Sequence, residues 1–148
     1  MDRKKLSKYY DCWSAAWKMF RRWLNDTDDW NAVSSRVLMD INDFTRTHSD
    51  CTALATGIGL LFASEIDVLC RSHEGKREVT AEETKPYYDM WNQAWRLFKH
   101  WADSCADEKT MDREATEFIA EWQKNGFPRF SALAIADLRV ELYKGADS

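Results

Sequence analysis

The sequence predicts an all-α protein, a six-helix bundle made of two tandem three-helix repeats with approximate two-fold symmetry. Three observations lead there. Helix breakers are scarce, with 5 glycines and 2 prolines among 148 residues. Apolar residues recur at i, i+3, i+4 and i+7, and no segment sustains the period-two alternation of a half-buried strand. A long aromatic motif also occurs twice. Tyr9, Tyr10, Asp11, Trp13, Ala16, Trp17, Phe20 and Trp23 reappear unchanged 78 residues later as Tyr87, Tyr88, Asp89, Trp91, Ala94, Trp95, Phe98 and Trp101. Matching so many tryptophans by chance is implausible, and the pattern reads as a tandem duplication.

The length fits a single domain over residues 1–148. Repeat one covers about 6–72, a polar linker about 73–84 and repeat two about 85–144. The first helix, residues 6–24, places Leu6, Tyr9, Trp13, Ala16, Phe20 and Trp23 on one stripe. Tyr10, Trp17 and Leu24 widen the stripe on one edge and Cys12 and Met19 on the other, while Asp11, Lys18 and Arg22 lie opposite. Asp28 is the expected N-cap of the second helix, which aligns Trp30, Val33, Val37, Ile41 and Phe44. The third helix starts near Ser49 or Asp50 and runs to Ser72. Its middle is apolar almost all round, so it is expected to be the most buried helix. Gly57 and Gly59 weaken it and suit close approach of a neighbouring helix.

Two starts compete for the fourth helix. Thr80 and Glu83 form a capping box, whereas Pro86 in a first turn makes Thr84 the cap. The fifth helix begins at Thr110 and stops at Asn125 and Gly126, and the sixth runs from Pro128 to Lys144. Leu61 through Val68 resembles Leu133 through Val140, which sets Glu65 opposite Asp137.

Composition bounds the function. The net charge is −4, which argues against direct nucleic-acid binding and against a polybasic membrane-surface protein. The N-terminal residues lack the apolar stretch of a signal peptide. The longest nearly apolar run, residues 53–63, is roughly half of the ~20 residues that span a bilayer. No membrane association and a cytoplasmic location are therefore expected. Cys12, Cys51, Cys70 and Cys105 show no paired metal-ligand spacing. They are read as reduced and structural, with no metal and no cofactor. His48, His73 and His100 read as surface residues, and no catalytic motif is present.

Three groups of residues invite a functional reading. Tyr10, Trp17, Tyr88 and Trp95 lie at stripe edges, with Arg21 and Lys99 just beyond. An aromatic edge bordered by cations suits a partner surface, because Trp, Tyr and Arg dominate interface hot spots. The plainer account is a core rich in large rings. Asp107, Glu108, Asp112, Glu114, Glu117 and Glu121 crowd the fifth helix, an acidic face suited to a basic partner or simply to solvent. Glu65 and Asp137 lie among apolar residues, where a carboxylate is costly unless paired; they are the candidate buried acids, and the plainer account is a helix-edge position or a buried ion pair with Arg or Lys.

The leading expectation is a non-enzymatic interaction protein, an adaptor or inhibitor that binds a protein partner. One form of it is a mobile-element inhibitor that engages a nucleic-acid-handling machine. The competing expectation is a small-molecule binding protein or enzyme, with Glu65, Asp137, Tyr10 and Tyr88 converging in an aromatic pocket between the repeats.

Overall fold

The computed structural model describes residues 3–25, 30–72 and 81–146. Among them the chain forms six α-helices and no strand. In chain order these are α1 (Arg3–Leu24), α2 (Trp30–Thr47), α3 (Thr52–Ser72), α4 (Ala81–Ser104), α5 (Glu108–Lys124) and α6 (Pro128–Ala146). A single 3-10 turn, Ser49–Cys51, leads into α3. The expected N-cap Asp28 lies outside the described residues.

The first-helix stripe is buried as its spacing predicts. Tyr9, Trp13, Ala16, Phe20 and Trp23 all leave solvent, joined by Cys12, Met19 and Leu24. Their partners are α4 and α3, while α2 packs along α1 and α3. On the other side α6 contacts α3, α4 and α5. The core therefore lies among α1, α3, α4 and α6, with α2 and α5 flanking it. Phe62 of α3 sits at its middle, with ring centroids 4.5 Å from Phe20, 4.9 Å from Trp91 and 6.1 Å from Phe130.

The helix ends follow local chemistry with small shifts. α5 starts two residues before Thr110, because the Asp107 side chain accepts from Thr110 N at 2.7 Å and caps the helix. Asn125 and Gly126 do end it: Gly126 adopts φ +86°, and Phe127 N donates to Trp122 O at 2.9 Å. α4 starts at Ala81, so Thr84 is helical and is no cap. Pro86 stands inside the helix, past the first turn that it would favour. The linker is correspondingly shorter than expected at its C-terminal end, and Thr80 lies outside the described residues.

α3 has one open side. It contacts α1, α2 and α6, yet Ala53, Thr56 and Leu60 face outward, with Leu60 70% exposed. Among the described residues no helix covers that side, so a nearly all-apolar sequence does not make α3 buried all round. Its glycines do mark close contacts. A Cβ on Gly57 would lie 2.6 Å from Asp137 Oδ1, and one on Gly59 would lie 2.6 Å from Ile41 Cγ2. The first glycine thus sets the α3/α6 crossing and the second the α2/α3 crossing.

Trp13 and Trp91 meet where α1 crosses α4. Their rings stack with centroids 3.5 Å apart and planes 2° from parallel. Trp13 Nε1 donates to Trp91 O, and Trp91 Nε1 donates to Trp13 O, each at 2.9 Å. Both side chains are fully buried. Trp13→Ala or Trp91→Ala should therefore cost about 3–5 kcal/mol, the range for a truncated buried aromatic. Trp17→Ala and Trp95→Ala should cost less, since both rings are half-buried. Urea unfolding midpoints of the four variants check the order. Equal losses would place Trp17 and Trp95 in the core.

Candidate functional site

The stripe-edge aromatics come together across the α1/α4 contact. Tyr10 packs on Trp95 at 5.2 Å and Trp17 packs on Tyr88 at 5.3 Å, both tilted. Trp17 and Trp95 pack against the core, and Tyr88 and Tyr10 lie on them. Tyr10 remains 51% exposed and Tyr88 47%. Arg21 and Lys99 are both exposed. Lys99, Arg3 and Asp103 ring an open depression floored by Leu6, Tyr10 and Trp95. An amphipathic ring with one apolar face open and a hydroxyl in water suits a contact surface.

The expected buried acids are placed differently from one another. Glu65, half-buried on α3, accepts a hydrogen bond from the Tyr87 hydroxyl. Burial raises its pKa, while that hydrogen bond and Arg129 oppose the rise. Asp137 lies against Gly57, and burial lifts its carboxyl from 3.8 to about 6. The counterpart tyrosine, Tyr9, instead donates to Glu141 Oε2 at 2.9 Å. Glu141 is buried and one helical turn beyond Asp137. Residues four apart share a helix face, so periodicity alone does not separate the two positions. Both tyrosines have pKa values pushed upward, first by burial and then by the neighbouring carboxylate.

These placements separate the groups of the expected ligand pocket. Glu65 and Asp137 belong to the α3/α6 side, whereas Tyr10 and Tyr88 join the α1/α4 surface row. Between them the space is filled by Trp13, Trp91, Phe20 and Phe62.

The acidic face of α5 is partly structural. Asp107 is the N-cap, and its carboxyl is held below its usual value by the Thr110 hydrogen bonds. Asp112 pairs with Arg139 of α6. Glu108, Glu117 and Glu121 are exposed and Glu114 is half-buried. Apolar surface is open elsewhere too: Leu38, Ile41 and Leu60 line a groove between α2 and α3. Residues Ser49–Leu69 are long and apolar enough, by length and composition, to cross a membrane. In this fold 44% of that stretch is buried against other helices.

One grouping escaped the sequence reading. Cys12, His48 and Cys51 converge where the 3-10 turn meets α1. Cys12 and Cys51 are buried and His48 is half-buried, which corrects its expected surface placement. Burial lowers the His48 pKa, with Asp11 opposing. The hydrogen bond with Cys51, and then burial, hold the Cys12 thiol up, while the same bond draws the Cys51 thiol down. The available signal was His48 and Cys51 three apart, with the third ligand supplied by another helix. His100 is exposed as expected, His73 lies outside the described residues and nothing is described of the Cys70 side chain.

No protein-family model matches the chain, and no curated protein or solved structure shows significant similarity to it.

Burial of Asp137 generates a pH prediction. Its pKa is higher folded than unfolded, so the folded chain keeps a proton that the unfolded chain has released. The favourable contribution is full below the unfolded pKa and is lost as pH rises through the folded value. Glu65 acts in the same direction. Asp137→Asn should therefore melt higher than wild type at about pH 8 and coincide with it near pH 4. Thermal melts across that range test this, and a pH-independent difference would exclude ionisation of Asp137 as the cause.

Proposed function

We propose that the protein is a non-enzymatic interaction protein, an adaptor or inhibitor, that binds a protein partner through the α1/α4 aromatic row. The observation carrying this reading is the two ring pairs of the α1/α4 contact, Tyr10–Trp95 and Trp17–Tyr88, with both tyrosines about half exposed. Arg3, Arg21 and Lys99 at its border favour a partner segment that presents an apolar side chain among carboxylates. The free acids of α5, Glu108, Glu117 and Glu121, offer a second, oppositely charged surface.

The same reading takes the chain as two three-helix repeats about an approximate two-fold axis between Trp13 and Trp91. Contacts that recur in exchanged form support it. Tyr10 on Trp95 corresponds to Tyr88 on Trp17, and Tyr9 beside Phe98 corresponds to Tyr87 beside Phe20. The tyrosine–carboxylate bonds Tyr9–Glu141 and Tyr87–Glu65 follow the same exchange. On this reading the row contains two similar half-sites, each with one tyrosine from one repeat and one tryptophan from the other.

Affinity capture from a lysate of the native cell tests the binding surface. Wild-type protein should retain a stoichiometric protein partner. The Tyr10→Ala/Tyr88→Ala variant, folded by circular dichroism, should lose it by roughly 30-fold or more in affinity, the size of a hot-spot loss. Equal retention by the variant would exclude the row as the contact surface. Absence of any partner in both would count against the interaction reading.

A further inference from the structure

The grouping of Cys12, His48 and Cys51 has no part in the aromatic row. One donor atom from each residue, two sulfurs and an imidazole nitrogen, lie within 4.8 Å of one another. The backbone holds two of them in a closed turn. His48 N donates to Phe44 O at 3.1 Å and Cys51 N donates to His48 O at 3.0 Å. The Phe44 ring, 4.8 Å from the imidazole, restricts it further. Cys12 arrives from the buried stripe of α1 and has no solvent exposure.

We propose that Cys12, His48 and Cys51 bind a zinc ion as three of its four tetrahedral ligands, with water or an incoming side chain as the fourth. Two soft thiolates and an imidazole are the donor set that such an ion takes. Zinc–sulfur bonds of ~2.3 Å and zinc–nitrogen bonds of ~2.0 Å put tetrahedral donors on the order of 3.5–3.8 Å apart. The contraction needed is then at most about 1.3 Å, within reach of side-chain rotation. The charge also balances. Zinc binding displaces two thiol protons to solvent and leaves a neutral dithiolate complex, which suits a site screened from water. The ligands span α1 and the α2–α3 turn, so the ion would tie the ends of those elements together.

The test uses the full-length protein, purified under reducing conditions. Titration with zinc against a chromophoric chelator should give one equivalent bound and about two protons released per ion. Cobalt substitution should give the visible bands of a tetrahedral site together with thiolate-to-cobalt charge transfer. Cys12→Ser, Cys51→Ser and His48→Ala should each weaken binding more than about 100-fold, beyond the 10–100-fold expected for loss of a supporting neighbour. Cys105→Ser, at an exposed cysteine outside the cluster, should bind as wild type. Zinc should raise the melting temperature of wild type and Cys105→Ser only. Because Cys12→Ser disturbs the core, His48→Ala is the decisive variant if Cys12→Ser does not fold. Unchanged affinity in His48→Ala and Cys51→Ser, no bound equivalent in wild type, or a Cys12–Cys51 disulfide that forms in preference to metal binding would each overturn the proposal.

Discussion

The reciprocal tryptophan pair constrains the rest of the fold. A helix carbonyl has a second lone pair beyond its own i+4 bond, and each indole N–H uses one on the facing helix. Rings 3.5 Å apart then fix the separation and rotation of α1 and α4 at their crossing. With that crossing set, Tyr9 reaches α6 and Tyr87 reaches α3, because each tyrosine stands one turn before its tryptophan on the same stripe. Phe20 and Phe98, further along the stripes, close on the opposite tyrosines. Edge residues Trp17 and Trp95 pack against Tyr88 and Tyr10, which stay about half exposed. The surface row is thus a geometric consequence of the buried pair.

Much of this was legible in the sequence, for a physical reason. Amphipathic periodicity marks the buried face of α1 and α4 because every stripe residue faces one continuous core. The Asn125–Gly126 stop and the Gly57 and Gly59 contacts were also readable, since close approach and positive φ leave few choices of residue. Periodicity does not show which residues meet across helices. It matched Glu65 to Asp137, whereas the tyrosine-bonded acids are Glu65 and Glu141. The charge pattern put Asp107 and Asp112 on an acidic face open to a basic partner or to solvent, although a cap and an interhelical ion pair occupy them. The histidine–cysteine cluster was hidden for the same reason, its third donor lying on another helix.

The polar groups inside the core are distributed unevenly. Tyr9 donates to one oxygen of the buried Glu141 and Tyr87 to the half-buried Glu65, so each carboxylate has a donor in place. Asp137 is held against Gly57, and burial alone accounts for its raised pKa. Glu65 has a hydrogen bond and Arg129 opposing the rise that burial causes, and Asp137 has no such opposing group. Its position at the α3/α6 crossing makes that helix contact the part of the core most responsive to pH.

The duplicated motif also shows where the two halves diverge. The position 78 residues after Cys12 is Met90, fully buried and without a thiol. Near Tyr87 the neighbouring turn contributes Phe127, its ring 4.6 Å from the tyrosine. Near Tyr9 the neighbouring turn contributes Cys51, close enough to raise the tyrosine's pKa electrostatically. A duplicated helix pair needs only apolar filling at this place, and the second half has it. In the first half two thiols and an imidazole stand at the place that methionine and phenylalanine fill in the second; a buried thiol packs as a small apolar group, so the imidazole is the polar addition. That contrast separates Cys12, His48 and Cys51 from the rest of the core, because they bring three donor atoms to one place.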